Sequence, residues 1–309
     1  MERRRFILKA GGVLAAAGAT AVLAKAPAVH AQQKFNWRMV TTWPPGLATL
    51  QGGAVRFGKL CDQLSGGRLK IQVFAGGELV PPLGTFDAVS KGTVEAGSGA
   101  SYYWAGKQAA TQWFCAVPFG LNAQGMNAWF YSGGGLKLWE EVYAPFDLVP
   151  RPGGNTGVQM AGWFRKKINA VSDYKGLKMR ISGLGGKVVA KAGGTVVLLP
   201  GGEIYTALER GVIDAAEWVG PYDDIKLGLH QAARYYYYPG WHEPGTVLEH
   251  MFNKKAYDSL PSDLKAVVDT ASADCNLWML AEYNALNATN LMDLKTKFKG
   301  KVEVLALPA

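Results

Sequence analysis

Catalytic signatures are missing from this 309-residue chain. It has no G-x-S-x-G, no H-E-x-x-H and no G-x-x-x-x-G-K-[ST], so nucleophile-elbow, zincin and P-loop chemistry have no support. Histidine is scarce: His30, His230, His242 and His250 make up the whole set, none at the spacing that puts two metal ligands on one helix face. Gly183-Leu184-Gly185-Gly186 lacks a third glycine at the required offset and a partner acid at the right distance for a dinucleotide loop. Cysteine is equally sparse. Cys61, Cys115 and Cys275 form an odd set without C-x-x-C spacing, which excludes a disulfide framework and a cysteine zinc site and leaves room for one bridge. No stretch after the N-terminus reaches 18 consecutive apolar residues, so nothing is expected to span a membrane. There is no downstream lysine/arginine run, and nucleic acid is not an expected partner. Internal repeats and low-complexity tracts are absent as well.

What is present begins with residues 1–31. Arg3-Arg4-Arg5-Phe6-Ile7-Leu8-Lys9, a weakly apolar Ala/Gly-rich run from Ala10 to Ala24, and Val29-His30-Ala31 read as the three regions of an export signal. The paired arginines and low hydrophobicity point to a twin-arginine signal, and no cysteine at the junction offers a lipid anchor. The mature protein is therefore expected in the periplasm. Removing five basic residues and one acidic residue with the signal lowers the net charge from +9 to +5.

The remaining chain alternates short apolar runs with helical patterns, which argues for α/β layering. Strands are expected at Phe35–Val40, Leu69–Phe74, Gly97–Tyr103, Val158–Phe164, Leu177–Ile181, Thr195–Leu199, Ala215–Trp218 and Thr246–Asn253. Helices are expected at Leu47–Leu64, Phe86–Gly92, Lys187–Ala192, Glu203–Arg210 and Asp263–Lys299. The strand–helix–strand order predicts a largely parallel sheet. Pro150-Arg151-Pro152-Gly153-Gly154 marks a composition shift and reads as a hinge or boundary. Two α/β lobes with the chain crossing between them account for this order.

Arg180 sits inside the apolar strand Leu177–Ile181, where an isolated guanidinium is costly unless it meets an anion or an acid of the same lobe. Its planar fork suits a carboxylate. Gln159 lies in a strand pattern, Glu217-Trp218 ends another, and Glu243 lies in Trp241-His242-Glu243-Pro244-Gly245. Their oxygens are hard ligands suited to Na⁺ or Ca²⁺, or else ordinary polar groups at strand ends. Aromatics gather at Tyr102-Tyr103-Trp104, Trp113-Phe114, Tyr235–Tyr238 and Trp241. These serve as core packing or as a cleft wall, with Tyr102, at the end of an extended segment, the candidate for the cleft.

The segment from Asp173 to Trp218 resembles the extracytoplasmic solute-binding proteins of TRAP transporters. It carries Lys175-Gly176-Leu177-Lys178-Met179-Arg180, then Pro200, Glu203, Tyr205, Ala207-Leu208, Gly211 and Asp214 in the family spacing. The likeness extends over residues 32–309. Gln159, Glu217-Trp218 and the Trp241–Gly245 loop are similar to the branch that binds 2-oxo acids or lactate through a metal.

This resemblance implies a two-lobed, type II periplasmic-binding-protein-like α/β fold with a hinge and a central cleft. Lobe I is expected over 32–155 and 246–285, lobe II over 156–245 and 286–309. It implies a receptor, not an enzyme, that captures a small 2-oxo or 2-hydroxy monocarboxylate for TRAP permease subunits. Arg180, with Gln159 and Tyr102, would hold the acid. Gln159, Glu217, the Trp218 carbonyl and Glu243 would hold Na⁺ or Ca²⁺ bridging to it. Arg180→Ala is expected to abolish binding and spare the fold. Family members continue past the point matching Ala309 with helices that pair subunits, which leaves homodimerisation open. The alternatives are a receptor for C4-dicarboxylates, with Arg151 or Arg165 as second clamp, and an exported metal-dependent enzyme acting on an oxo acid.

Overall fold

In the computed structural model, residues 33–308 are described; the signal assigned to residues 1–31 lies outside them. Eleven strands are described: β1 Phe35–Thr41, β2 Leu69–Phe74, β3 Ala96–Gly99, β4 Leu148–Asn155, β5 Gly162–Phe164, β6 Lys178–Arg180, β7 Thr195–Val197, β8 Ala215–Ala216, β9 Tyr235–Tyr238, β10 Val247–Asn253 and β11 Glu303–Ala306. They form two sheets. The first has the order β2-β1-β3-β10-β4, the second β11-β9-β5-β8-β6-β7.

Both sheets are mixed, which corrects the expectation of a largely parallel one. β1 runs parallel to β2 and β3, but β10 is antiparallel to both β3 and β4. The reason lies in the chain path: β10 returns from the second sheet and inserts between β3 and β4 from the opposite end. In the second sheet β6 is parallel to β7 and β8, whereas β5 is antiparallel to β8 and β9.

The Pro150–Gly154 shift falls within strand β4, at the edge of the first sheet. Prolines are tolerated there because an edge strand has backbone N–H groups outside the ladder. The glycines are required by packing. A Cβ on Gly153 would lie 2.5 Å from the His250 ring, and one on Gly154 would lie 2.6 Å from the Met279 sulfur.

Helix Leu50–Leu64 buries Leu50, Ala54, Phe57 and Cys61, one helical stripe, and ends where Gly66 and Gly67 take positive φ. It begins three residues later than expected, after an irregular 42–49 segment. Helix Ser262–Thr296 buries Leu264, Val268, Ala271, Cys275, Met279 and Tyr283 at steps of three and four. Its 35 residues span about 52 Å at 1.5 Å per residue. It packs on β4, on helix Leu50–Leu64 and on helix Pro221–Lys226, and so serves both halves of the molecule. All three cysteines are buried and free. No helix among the described residues is long and apolar enough to cross a membrane.

Several carboxyls are buried against neutral donors. Glu249 on β10 accepts from Trp104 Nε1 at 2.5 Å and from Tyr143 Oη at 2.7 Å. Burial pushes Glu249 and Asp224 up to about 7 and Asp223 to about 6. All three carboxyls thus hold protons in the native state at pH values where the unfolded chain has lost them. Their contribution to stability is present below their ordinary values and is lost as pH rises to about 7. His250, pushed down to about 3 by burial, acts oppositely on the acid side, with one proton against three. The melting temperature of cation-free protein should therefore fall between about pH 5 and pH 8. Glu249→Gln should flatten that slope, because an amide retains the acceptor for Trp104 and a donor for Tyr143. A melting temperature that rises across this range would contradict the assignment.

Candidate functional site

Arg180 closes β6, and Glu217 follows the last residue of the adjacent parallel β8. The backbone N–H of Glu217 donates to the Arg180 carbonyl at 3.1 Å, which brings the two side chains together. Arg180 Nη1 donates to Glu217 Oε1 at 2.5 Å and to the Glu217 carbonyl at 2.7 Å. Nε reaches the Leu199 carbonyl at 3.3 Å and Nη2 the Tyr103 hydroxyl at 3.5 Å. The guanidinium also lies 5.2 Å from the Trp218 ring centroid. Both charged side chains are sealed from solvent, Arg180 at 1% exposure and Glu217 at 0%. The same-lobe acid anticipated for Arg180 is thus Glu217.

The second group of residues comes from the two crossings between the sheets. Gln159 lies in the outgoing connection, ahead of β5 and not inside a strand. Its backbone N–H donates to the Glu243 carbonyl at 3.1 Å. The two connections touch so closely that a Cβ on Gly240 would sit 2.0 Å from the Gln159 carbonyl oxygen. Gln159 Nε2 donates to Thr156 Oγ1 at 3.0 Å and Thr246 Oγ1 at 3.3 Å. Thr246 Oγ1 in turn donates to Glu243 Oε2 at 2.7 Å. Gln159 Oε1 and Glu243 Oε1 are buried and accept no hydrogen bond.

Two unpartnered acceptor oxygens beside a buried carboxylate form a donor set that fits a hard cation such as Na⁺ or Ca²⁺. Burial, and then the charge of Glu217, push Glu243 up to about 8. A positive ion would reverse that penalty.

His242 belongs to this cluster and was missed by sequence reasoning, which found no histidine near the candidate ligands. Its Nε2 lies 3.1 Å from Glu217 Oε2. Ligand atoms of Glu217, His242 and Glu243 fall within 4.8 Å of one another. Burial lowers the His242 pKa, but the hydrogen bond to Glu217 and its charge outweigh that and raise it. Local spacing could not reveal this contact, because it joins residues separated by helices Pro221–Lys226 and Leu229–Ala232 and by β9.

Tyr102, Gln159 and Trp218 line one cavity with Trp43, Leu50 and Leu248. Tyr102 sits in a 3₁₀ turn, Ser101–Trp104, not at the end of an extended segment as expected. Burial and then the charge of Glu243 raise its hydroxyl pKa well above the ordinary range. The cavity holds about 10 Å³, room for about one water, so the site is shut.

A larger groove of about 410 Å³, lined by Phe119, Val171, Tyr174 and Trp241 among others, lies elsewhere and contains no charged side chain. Trp241 faces this groove, stacked on Phe119 with ring centroids 6.0 Å apart. Arg151 is engaged by Glu140, Asp269 and Tyr257, and Arg165 is exposed. Neither lines the cavity.

A curated relative from Nostoc sp. (strain PCC 7120), named a monocarboxylate 2-oxoacid-binding periplasmic protein, is 53% identical over 259 residues, 84% of this chain and 71% of that protein. A TRAP periplasmic solute-binding protein from Pseudoalteromonas atlantica T6c, solved with bound sodium and pyruvate, is 44% identical. It gives a TM-score of 0.86 and covers 89% of this chain and 83% of that one. One from Colwellia psychrerythraea, solved with calcium and pyruvate, gives 44% identity and a TM-score of 0.86 over 90% and 84%. Their two-lobed α/β architecture is the one described above. The profile of bacterial extracellular solute-binding proteins, family 7, matches residues 39–308. The chain belongs to this DctP family of TRAP-transporter solute-binding proteins.

Proposed function

We propose that this receptor captures a small 2-oxo or 2-hydroxy monocarboxylate, of the size of pyruvate or lactate, together with Na⁺ or Ca²⁺. One observation carries the reading: a single buried arginine stands beside three oxygen-bearing side chains, two of which keep an unpartnered oxygen. Arg180 would grip the acid's carboxylate, with Gln159 and Tyr102 beside it. Gln159, Glu217, the Trp218 carbonyl and Glu243 would hold the cation. A bound cation would neutralise the clustered carboxylates and present positive charge to the oxygens of the acid.

The chain's own residues do the rest. Thr246 and Thr156 orient Glu243 and Gln159 through the hydrogen bonds given above. The aromatic lining excludes water, which strengthens every charge interaction inside. Because the shut cavity admits about one water, entry of an acid requires the lobes to part. The proposed lobes are residues 32–155 with 246–285, and 156–245 with 286–309. Twin-arginine export to the periplasm, delivery to TRAP permease subunits and homodimerisation complete the proposal.

A C4-dicarboxylate would need a second cationic clamp, whereas Arg151 is held by Glu140, Asp269 and Tyr257 and Arg165 is exposed to solvent. Calorimetric titration of the mature protein with pyruvate, longer 2-oxo acids, lactate and succinate tests the reading. Each acid is run in sodium-free, chelator-treated buffer and again with Na⁺ or Ca²⁺ restored. Binding of one monocarboxylate only when cation is present is expected. Succinate binding regardless of cation would overturn the assignment.

A further inference from the structure

We infer that Asp224 is a positioning residue for the cation site, acting through the Trp218–Val219 peptide; the inference rests on the reading of the site given above. A backbone carbonyl has no side chain to steer it, so its aim is set by the orientation of its peptide plane. In a trans peptide the C=O and the following N–H point in opposite directions. The Val219 N–H, which shares the plane of the Trp218 carbonyl, donates to Asp224 Oδ1 at 3.2 Å. The Gly220 N–H donates to the same oxygen at 3.2 Å. Asp224 therefore holds this peptide by its N–H and turns the Trp218 carbonyl away from itself.

The neighbouring carbonyls are already engaged. That of Glu217 accepts from Arg180, and that of Val219 accepts from the Met160 N–H at 3.0 Å. Between them, the Trp218 carbonyl accepts no hydrogen bond from the described residues. The anchor itself is rigid. Asp224 Oδ2 accepts from Trp163 Nε1 at 2.9 Å and from the Tyr236 hydroxyl at 2.7 Å. Those two rings are stacked with centroids 4.0 Å apart, on the adjacent strands β5 and β9. A carboxyl group that accepts four hydrogen bonds, buried at 1% exposure, thus ties a loop peptide to the sheet. Outer partners of this kind fix ligand direction and raise ligand basicity.

The test compares wild type with Asp224→Asn and Tyr236→Phe, each titrated with Ca²⁺ alone and with pyruvate at saturating Ca²⁺. Asparagine keeps an acceptor for the two backbone N–H groups but turns a donor toward the Trp163 N–H. Phenylalanine keeps the stack and removes one donor from Oδ2, so it carries the test if Asp224→Asn fails to fold. Ca²⁺ affinity is expected to weaken about 10–100-fold in Asp224→Asn and severalfold in Tyr236→Phe. Pyruvate affinity at saturating Ca²⁺ should stay within about threefold of wild type, a split that loss of stability alone would not produce. Wild-type Ca²⁺ binding with unchanged affinity in the variants overturns this inference alone. Absence of Ca²⁺ binding by wild type overturns the site reading and this inference with it.

Discussion

Arg180→Ala should lose acid binding and thermal stability together. Removing a fully desolvated member of a charge pair typically weakens binding by about 2–5 kcal/mol, so a drop in affinity of about 30-fold to several thousandfold is expected. The stability loss follows from Glu217, a fully buried side chain that would lose its guanidinium partner and keep only the His242 contact. Breaking a buried pair from one side costs about 3–5 kcal/mol, or about 6–10 °C in melting temperature for a chain of this size. This revises the expectation, drawn from sequence, that the substitution would spare the fold. The double variant Arg180→Ala/Glu217→Gln separates the two effects. It leaves no stranded charge, so the melting temperature should recover in part while acid binding does not. Near-wild-type affinity in Arg180→Ala would remove the clamp role.

Glu243→Gln is expected to move stability and function in opposite directions. Glu243 shares its surroundings with Glu217, has one oxygen without a partner and sits where burial favours its neutral form. An amide keeps an oxygen for the Thr246 hydroxyl and removes the repulsion, so cation-free protein should melt a few degrees higher. The same change takes one of two negative charges from the proposed ligand set, and Ca²⁺ affinity follows ligand charge. A weakening of about a hundredfold is expected. Pyruvate affinity at limiting Ca²⁺ should fall in step, because linkage makes the coupling reciprocal. Calorimetry and thermal melts of the one variant suffice. Unchanged Ca²⁺ affinity would take Glu243 out of the ligand set.

The residues of the site were legible where chemistry conflicts with its surroundings. An arginine in an apolar strand demands a partner, and Glu217 at the end of the neighbouring strand supplies it. Helix Leu50–Leu64 was equally plain, since its buried residues follow the helical repeat. Strand β4 was obscured because its glycines answer to His250 and Met279, contacts made across the fold. Helices Ala123–Tyr131 and Gly135–Tyr143 and the 3₁₀ turns around Tyr102 were missed for lack of a clean period. His242 was overlooked because its value lies in a contact with Glu217. Thr156, Thr246 and Asp224 act through hydrogen bonds to other groups, and no local pattern marks such a role.

The pairing of Arg180 with Glu217 also bears on which anions the site would ignore. Small inorganic anions compete with a carboxylate for any accessible guanidinium. A bare guanidinium in a dry cleft would attract all of them. Here its strongest contact is to an internal carboxylate at 2.5 Å. A simple inorganic anion must displace that carboxylate and leave it only the His242 imidazole, whereas an acid arriving with a cation would leave both charges matched. The pairing would thereby insulate Arg180 from the ionic background around it.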